Sequence, residues 1–316
     1  MLPDTAPVRH GEELDSRHLA AWLRANLPDA GPDLAIEQFP NGHSNLVYLV
    51  RTGGRDYVLR RPPLGPVAPK AHDMAREYRV LDAVHPCFPE APHVVALCED
   101  ATVLGATFFL MERRHGIVLR GDPPPEWATL PNYARLASEA FIDCLIRLQE
   151  VDVRVGKLAS LGRPEGFVER QVQGWSDRWQ RSKTEELPAM DRVIAWLHGN
   201  IPNSGPPTLV HNDFKLDNVM LSPTADRVQA VLDWEMTTVG DPLADLGLTL
   251  CYWTWASIAQ QGDPHPATPV ITSQPGWYTR EQFVERYASR TGRDITALGY
   301  YEALGVFKLA VILQQI

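Results

Sequence analysis

Hydrophobic and polar positions follow two different patterns along the chain, and the pattern changes at about residue 117. Before that point, short runs rich in Val, Leu, Tyr and Phe are separated by turn sequences such as NGHS and TGG, which is typical of strands joined in hairpins. One segment instead places Met74, Tyr78 and Leu81 at helical spacing. This part predicts about five antiparallel strands with one inserted helix, after a short amphipathic helix. The expected strands are 34–40, 45–50, 55–60, 93–100 and 106–113, and the expected helices are 15–26 and 71–84.

The rest of the chain carries longer stretches with a helical hydrophobic period, interrupted by three short β-prone runs. Pro131 suits the first turn of one helix, and Thr279 and Gly292 suit the two caps of another. The expected helices are 131–151, 164–183, 187–200, 242–260, 279–292 and 300–316, and the expected strands are 208–213, 218–221 and 228–234. We therefore expect an α+β fold with two lobes. Residues 1–113 form an N-terminal lobe, in which 1–33 are an extension with a helix, and residues 114–316 form a larger, mainly helical C-terminal lobe.

Composition and charge narrow the class of protein. The chain has 316 residues, of which 44% are hydrophobic, enough for two lobes with their own cores. The formal net charge is −9, so we expect no nucleic-acid binding through a general positive charge. Cys87, Cys98, Cys144 and Cys251 lie far apart, without the spacing of a zinc site or a disulfide framework. Because no signal-peptide pattern or bilayer-length apolar run occurs, a soluble cytoplasmic protein without membrane contact is expected.

Two segments concentrate polar side chains between apolar runs, namely HNDFKLDN at 211–218 and LDWE around Asp233. Phosphoryl transfer needs a carboxylate for the attacking hydroxyl, oxygen ligands for Mg²⁺ and cations against the developing charge. Asp213 would receive the hydroxyl proton, and Lys215 would neutralise the transferred phosphate. Asn218 and Asp233 would hold the metal, because the predicted strands place Asp233 beside Asn218.

These segments resemble the His-x-Asp-x-Lys-x-x-Asn catalytic loop and the metal-binding Asp-Phe-Gly of protein-kinase-like phosphotransferases. Together with GDPLADLG at 240–247, they are similar to the aminoglycoside phosphotransferase and choline kinase superfamily. With GHSNLVYLV, YVLRRPP and REYRVL, the chain most resembles the kinase-like domains fused to, or encoded beside, acyl-CoA dehydrogenases. The resemblance runs from about residue 34 to the end. It implies a two-lobed protein-kinase-like fold, with ATP and Mg²⁺ as cofactors and the nucleotide between the lobes.

The resemblance also implies nucleotide-binding residues in the N-terminal lobe. The loop Asn41–Asn45 would cover the phosphates, with Gly42, Ser44 and Asn45 as its contacts. The backbone of the hinge at Met111–Arg113 would read the adenine.

Glu77 would orient a cation on the third strand, as the corresponding Glu does in kinases. Most kinases have Lys at that cationic position, whereas this chain has Arg60. Because a guanidinium is a rigid fork and an ammonium is a compact charge, this difference changes how phosphate would be held. A non-catalytic nucleotide-binding module therefore stays open as an alternative.

The sequence favours a small hydroxylated acceptor over a protein. Only six residues lie between Asp233 and Gly240, which leaves no room for an activation segment or a peptide-docking platform. The resemblance implies a hydroxyacyl-CoA as the acceptor and a functional link to an acyl-CoA dehydrogenase. An aminoglycoside or another cationic alcohol stays open. Basic residues of the helix at 164–183 favour an anionic acceptor, because CoA phosphates need cations; they are Arg170, Arg178, Arg181 and Lys183.

Several neighbouring residues are expected to be structural. His211 would pack under the loop and bond to backbone, and Asp241 and Asp245 would cap and brace the helix that follows them. The aromatic side chains of that helix, Tyr252, Trp253 and Trp255, would pack in the core.

Overall fold

A computed structural model describes residues 4–40, 45–65, 72–259 and 270–315, including their side chains except those of 254–259 and 270. The chain divides into two compact units, Met1–His115 and Gly116–Ile316. The sequence places this boundary two residues earlier, after residue 113. Within the described part of the chain, no helix is both long and apolar enough to cross a membrane.

The first unit is built on an antiparallel sheet. Its strands are β1 (Ala35–Gln38), β2 (Leu46–Thr52), β3 (Arg55–Arg61), β4 (Val94–Cys98) and β5 (Phe108–Glu112), and its helices are α1 (Ser16–Asn26), α2 (Met74–Val84) and α3 (Ala101–Leu104). The strand order is β1-β2-β3-β5-β4. The five strands and the helices α1 and α2 confirm the sequence prediction, whereas the single turn of α3 was not expected.

A two-glycine turn sets the register of the β2–β3 hairpin. Thr52 pairs with Arg55, so Gly53 and Gly54 form the whole loop, and both have positive φ. A side chain on Gly53 would also collide with the Asp29 carbonyl. This register matters for the site because side chains alternate along a strand. Tyr57 and Leu59 of β3 lie in the core cluster that contains α1, which leaves Arg60 on the opposite face, where α2 packs against the sheet.

The second unit is mainly helical, and the two-lobed α+β fold is as expected. Its helices are α4 (Tyr133–Glu150), α5 (Phe167–Ser182), α6 (Pro188–Gly199), α7 (Pro242–Ala259), α8 (Arg280–Thr291) and α9 (Leu298–Gln315), and its strands are β6 (Thr208–Val210), β7 (Val219–Leu221), β8 (Val228–Val231) and β9 (Thr238–Gly240). β6 pairs with β9 and β7 pairs with β8, both antiparallel. Strand β9 was not expected from the sequence. The predicted caps of α8, Thr279 and Gly292, are both present, and Thr279 also forms a capping box with Gln282.

Helices α7 and α9 cross at very close range. A side chain on Gly247 would lie 2.5 Å from the backbone of Tyr301, and one on Gly305 would lie 2.9 Å from the Cys251 sulfur. Tyr301 also donates a hydrogen bond of 2.7 Å to Asp241 at the start of α7. This close packing buries the hydrogen bond between Tyr301 and Asp241 inside the second unit.

Candidate active site

The loop between β6 and β7 is held by a carboxylate of α7. Asp245 is buried, and its two oxygens each accept a backbone N–H at 2.6 Å, one from His211 and one from Asn212. Asn212 has a φ of 65°, a conformation that Asn tolerates better than most residues. Burial raises the pKa of Asp245 to about 7, while the two N–H groups act in the opposite direction. Asp241 caps α7 as expected, by accepting from Leu243 N–H. Asp245 has the structural role that was expected, but it braces the loop rather than its own helix.

His211 ties the loop to the segment that carries Asp233. Its Nδ1 accepts from the Asp213 N–H at 3.3 Å, so the ring proton lies on Nε2, which donates to the Leu232 carbonyl at 3.0 Å. The ring is fully buried and packs edge-on against Trp234. Burial lowers the pKa of His211 to about 4, so the ring is neutral at physiological pH. These contacts are the structural role expected from the sequence.

Asp213 is at the centre of a small polar cluster. Its Oδ2 accepts from Asn218 Nδ2 at 2.7 Å and lies 3.1 Å from Lys215 Nζ, and its Oδ1 accepts from the Tyr252 hydroxyl at 3.3 Å. Lys215 Nζ lies 5.0 Å from the centre of the Tyr252 ring. The Asp213 side chain is still 22% exposed. Burial raises its pKa to about 6 and the charge of Asp233 adds to this, while Lys215 and Asn218 oppose it. A carboxylate with this pKa can accept a proton near neutral pH.

Asn218 and Asp233 lie side by side because β7 and β8 pair. Val219 is opposite Val231, and the Leu232 N–H donates to the Asn218 carbonyl at 2.7 Å. The Asn218 Nδ2 donates to both the backbone oxygen and Oδ2 of Asp213, which leaves its amide oxygen as the group able to accept or to ligate. Asp233 has a φ of 66°. Such left-handed conformations of non-glycine residues concentrate at functional sites.

The donor set fits Mg²⁺ together with a phosphate ligand. Among the described residues, no group of three or more His, Cys, Asp or Glu side chains could hold a metal ion by itself. Mg²⁺ takes oxygen ligands and is held in kinases by one or two protein groups, with waters and substrate phosphates completing the shell. The amide oxygen of Asn218 and the carboxylate of Asp233 match that pattern.

The first unit contains a buried ion pair at the position expected for phosphate binding. Arg60 Nε lies 3.0 Å from Glu77 Oε2, and both side chains are more than nine-tenths buried. The register of β3 explains the pair, since Arg60 is on the face of the sheet that α2 covers.

The other nucleotide-binding residues expected from the sequence are placed as follows. Asn45 is buried and its Oδ1 is 2.8 Å from His72 Nδ1, while Gly42 and Ser44 lie outside the described residues. Met111 is buried within β5. The guanidinium of Arg113 pairs with Asp56 and Asp4, at 2.5 and 2.8 Å. The Arg113 side chain therefore forms ion pairs within the first unit, so a ligand could contact this residue only through its backbone.

One helix carries the residues that the sequence interpretation missed. Asp245, Thr249 and Tyr252 stand at positions i, i+4 and i+7 of α7, on one face of the helix. Thr249 donates to the Phe214 carbonyl at 2.7 Å, so all three residues bond to the loop that carries Asp213. Tyr252 packs against a core cluster, as expected, and its hydroxyl also contacts Asp213. Polar residues at this spacing in an otherwise apolar helix are the signal that could have identified them.

The two tryptophans of α7 were also expected to pack in the core. Trp253 does pack in the core as expected, with its ring 5.4 Å from Phe141 and 5.1 Å from Phe283. The side chain of Trp255 lies outside the described residues.

The chain is similar in sequence to a known protein family. The model of the family described as "Phosphotransferase enzyme family" matches residues 35–283. Mouse acyl-CoA dehydrogenase family member 11 is 35% identical over 319 residues, which cover 98% of this chain and 40% of the mouse protein. The chain therefore spans less than half the length of that relative.

Solved structures show the same fold. A Ralstonia eutropha protein assigned provisionally to the aminoglycoside phosphotransferases has a TM-score of 0.78 at 33% identity, covering 96% of this chain and 88% of that one. Choline kinase from Cryptosporidium parvum has a TM-score of 0.64 at 13% identity, covering 95% of this chain and 90% of that one. The family match over residues 35–283 shows that this chain belongs to the phosphotransferase enzyme family, and the solved structures show that it has the kinase-like fold of that family.

Proposed function

We propose that the protein transfers a phosphoryl group from ATP, with Mg²⁺, to a hydroxyl group of a small acceptor. The observation that carries this proposal is the environment of Asp213. Its carboxylate is partly exposed, has its pKa raised to about 6, and lies within hydrogen-bonding distance of Lys215 and Asn218. This arrangement combines a proton acceptor, a cation and a metal-binding amide, which are the groups that phosphoryl transfer requires.

In the proposed reaction, Asp213 orients the acceptor hydroxyl and takes its proton as the oxygen attacks the terminal phosphorus. The bond from that phosphorus to the leaving diphosphate breaks as the new bond forms, so ADP and a phosphate monoester are the products. Lys215 offsets the negative charge of the group in transfer. Asn218 and Asp233 would hold Mg²⁺, which would supply positive charge to offset that of the nucleotide phosphates.

Residues of the first unit are proposed to bind the nucleotide. Arg60, held by Glu77, contacts phosphate through its guanidinium, whose planar fork suits two phosphate oxygens. The loop residues Gly42, Ser44 and Asn45 cover the phosphates. The backbone of Met111 and Arg113 contacts the base, and the Glu112 N–H of the same segment already donates to the His93 carbonyl.

For the acceptor we propose a hydroxyacyl-CoA. The similarity to acyl-CoA dehydrogenase family members supports this class, and it suggests that the product is used by a dehydrogenase of that kind. The exposed arginines of α5 supply positive charge for an anionic acceptor. A cationic acceptor such as an aminoglycoside is the second candidate, favoured by the name of the Ralstonia relative.

A phosphorylation screen tests the proposal. The purified protein is incubated with ATP and Mg²⁺ and with 3-hydroxybutyryl-CoA, 3-hydroxybutyrate, kanamycin or choline, and products are identified by mass. We expect a phosphate monoester of the CoA-linked acceptor that disappears with EDTA and with Asp213→Asn. A product formed only with kanamycin would contradict the proposed hydroxyacyl-CoA acceptor but would support the proposed phosphoryl transfer. Binding of Mg·ATP with no product from this or a wider panel of alcohols would favour the non-catalytic module.

A further inference from the structure

A buried lysine in the second unit forms no salt bridge in the described part of the chain. Lys308 of α9 is 3% exposed, and no described side chain forms a hydrogen bond or an ion pair with its Nζ. The contact that the structure gives this ammonium is the indole ring of Trp175 on α5, whose centre is 5.8 Å away. Burial lowers the pKa of Lys308 to about 8, so the group is still mainly cationic at pH 7. A buried charge is unfavourable unless something compensates it, and Asp245 attracts this one without forming an ion pair with it.

A second cation lies against the same indole ring. The Arg178 guanidinium carbon is 4.4 Å from the centre of the Trp175 ring, one helical turn along α5. Trp175 itself is buried, whereas part of Arg178 reaches solvent. The two cations repel each other, and the charge of Arg178 is one of the causes that lower the pKa of Lys308. Two cations on one aromatic ring form a concentrated positive site that solvent can reach through Arg178.

No nearby carboxylate forms an ion pair with this site in the described structure. Asp177 of α5 accepts from Gln173, and Asp245 of α7 uses both oxygens for the backbone N–H groups of the Asp213 loop. Asp245 attracts Lys308 through space, but within the described structure the two do not form an ion pair. Burial lowers the pKa of the Arg178 guanidinium, and the positive charge of Arg181 on the same helix lowers it further.

We infer that Trp175, Arg178 and Lys308 form a binding subsite for an anionic group of the acceptor, either a carboxylate or a phosphate. The inference rests on the proposed phosphotransfer to a small alcohol and specifies what else that alcohol carries. An anion placed here would pair with both cations and remove their mutual repulsion. The acceptor that fits has its hydroxyl at Asp213 and an anionic group farther along its length.

The charge of Asp245 couples the subsite to the reaction centre. Asp245 holds the loop that carries Asp213, and the charge of Lys308 lowers the pKa of Asp245. Lys308 would therefore also have a structural role as a distant counter-charge to Asp245. A substitution of Arg178 tests anion binding without the structural role, because Arg178 lies on another helix and no described contact joins it to Asp245. The decisive variant is thus Arg178→Met, with Lys308→Met as the second.

Isothermal titration calorimetry, which needs no turnover, measures the subsite directly. The wild type, Arg178→Met and Lys308→Met are titrated with coenzyme A, 3-hydroxybutyrate and choline, and Arg192→Met on α6 is the matched control. Arg192 is exposed like Arg178 but has no aromatic contact in the described structure. A lost charge-assisted hydrogen bond predicts a dissociation constant about 10- to 100-fold weaker for the anionic probe, with the control unchanged. Loss of 3-hydroxybutyrate binding identifies a carboxylate, and loss of coenzyme A binding alone identifies a phosphate.

Steady-state kinetics then separates binding from positioning of the loop. For the acceptor phosphorylated by the wild type, Arg178→Met should raise the acceptor KM about 10-fold or more and change kcat and the KM of ATP by less than about threefold. Wild type that binds neither anionic probe would overturn the inference. So would an Arg178→Met variant that binds both anions normally, or one that loses choline equally. If the wild type transfers no phosphate but the variants lose anion binding, the proposed function fails and the subsite stands.

Discussion

Replacing Asp213 by Asn changes the chemistry of the site while preserving its contacts. With the amide oxygen in the place of Oδ2, the variant still accepts from Asn218 and Lys215. The amide nitrogen then occupies the place of Oδ1 and donates to the Tyr252 hydroxyl, which can act as an acceptor. The variant therefore loses the negative charge and the ability to accept a proton, with the surrounding side chains undisturbed.

Two effects of opposite sign follow from this change. Loss of a general base lowers kcat by about 10²- to 10⁴-fold, which is a barrier increase of about 3–5 kcal/mol. The free energy of unfolding moves the other way, because burial raises the pKa of Asp213 from 3.8 to about 6. A raised carboxyl pKa gives stability that is present below pH 3.8 and lost as the pH rises through 6. At pH 8 the charged form therefore destabilises the fold by up to about 3 kcal/mol, whereas the amide of the variant cannot ionise.

We accordingly expect Asp213→Asn to be nearly inactive and, at pH 8, more stable than the wild type. Urea unfolding in EDTA at pH 8 and near pH 4 measures the second effect, and the difference should vanish at the lower pH. Asp122→Asn, in an exposed loop, is the control and should change neither quantity. A kcat within tenfold of the wild type would remove the base assignment. A less stable variant at pH 8 would show that the surroundings of Asp213 stabilise its charge.

Three further substitutions test other parts of the site. Asp233→Ala should abolish Mg²⁺-dependent nucleotide binding in calorimetry with ATP, and unchanged Mg·ATP affinity would contradict its role as a ligand. Glu77→Gln should destabilise the first unit by about 3–5 kcal/mol in urea unfolding, because it leaves Arg60 as a buried charge without its carboxylate; a loss below about 1 kcal/mol would mean that the pair is solvated. Tyr252→Phe removes one long hydrogen bond to Asp213 and should lower kcat about 2- to 10-fold with the acceptor KM retained, whereas an unchanged kcat would make that contact incidental.

The sequence predicted the helices and strands that have a clear hydrophobic period or clear turn and capping residues. The β2–β3 hairpin follows from alternating apolar residues around two glycines, and α8 follows from its capping residues. The strand β9 was missed because it is three residues long and ends at Gly240, so no alternation can be recognised. The single turn of α3 was missed for the same reason, since four residues are too few to show a helical period. Both are stabilised by tertiary contacts, which local patterns do not contain.

In the candidate site, too, the sequence identified the residues of one short loop and missed those that reach the loop through tertiary packing. Asp213, Lys215 and Asn218 come within one short loop, so their chemistry is visible in the sequence. Asp245 and Tyr252 lie 32 and 39 positions beyond Asp213, within a helix whose composition suggests simple burial. Their contacts with the loop depend on how α7 packs, and one sequence does not show which loop a buried helix will meet.

The polar stripe of α7 explains how the loop keeps Asp213 available. Asp245 satisfies two backbone N–H groups before Asp213, and Thr249 binds the carbonyl of the residue after it. The backbone on both sides of Asp213 is therefore bonded to the helix, and the side chain need not take part in holding the loop. Burying the Asp245 carboxylate is unfavourable, as its pKa of about 7 shows. Helix α7 is otherwise mostly apolar. We therefore interpret the buried carboxylate of Asp245 as the group that supports the loop of Asp213.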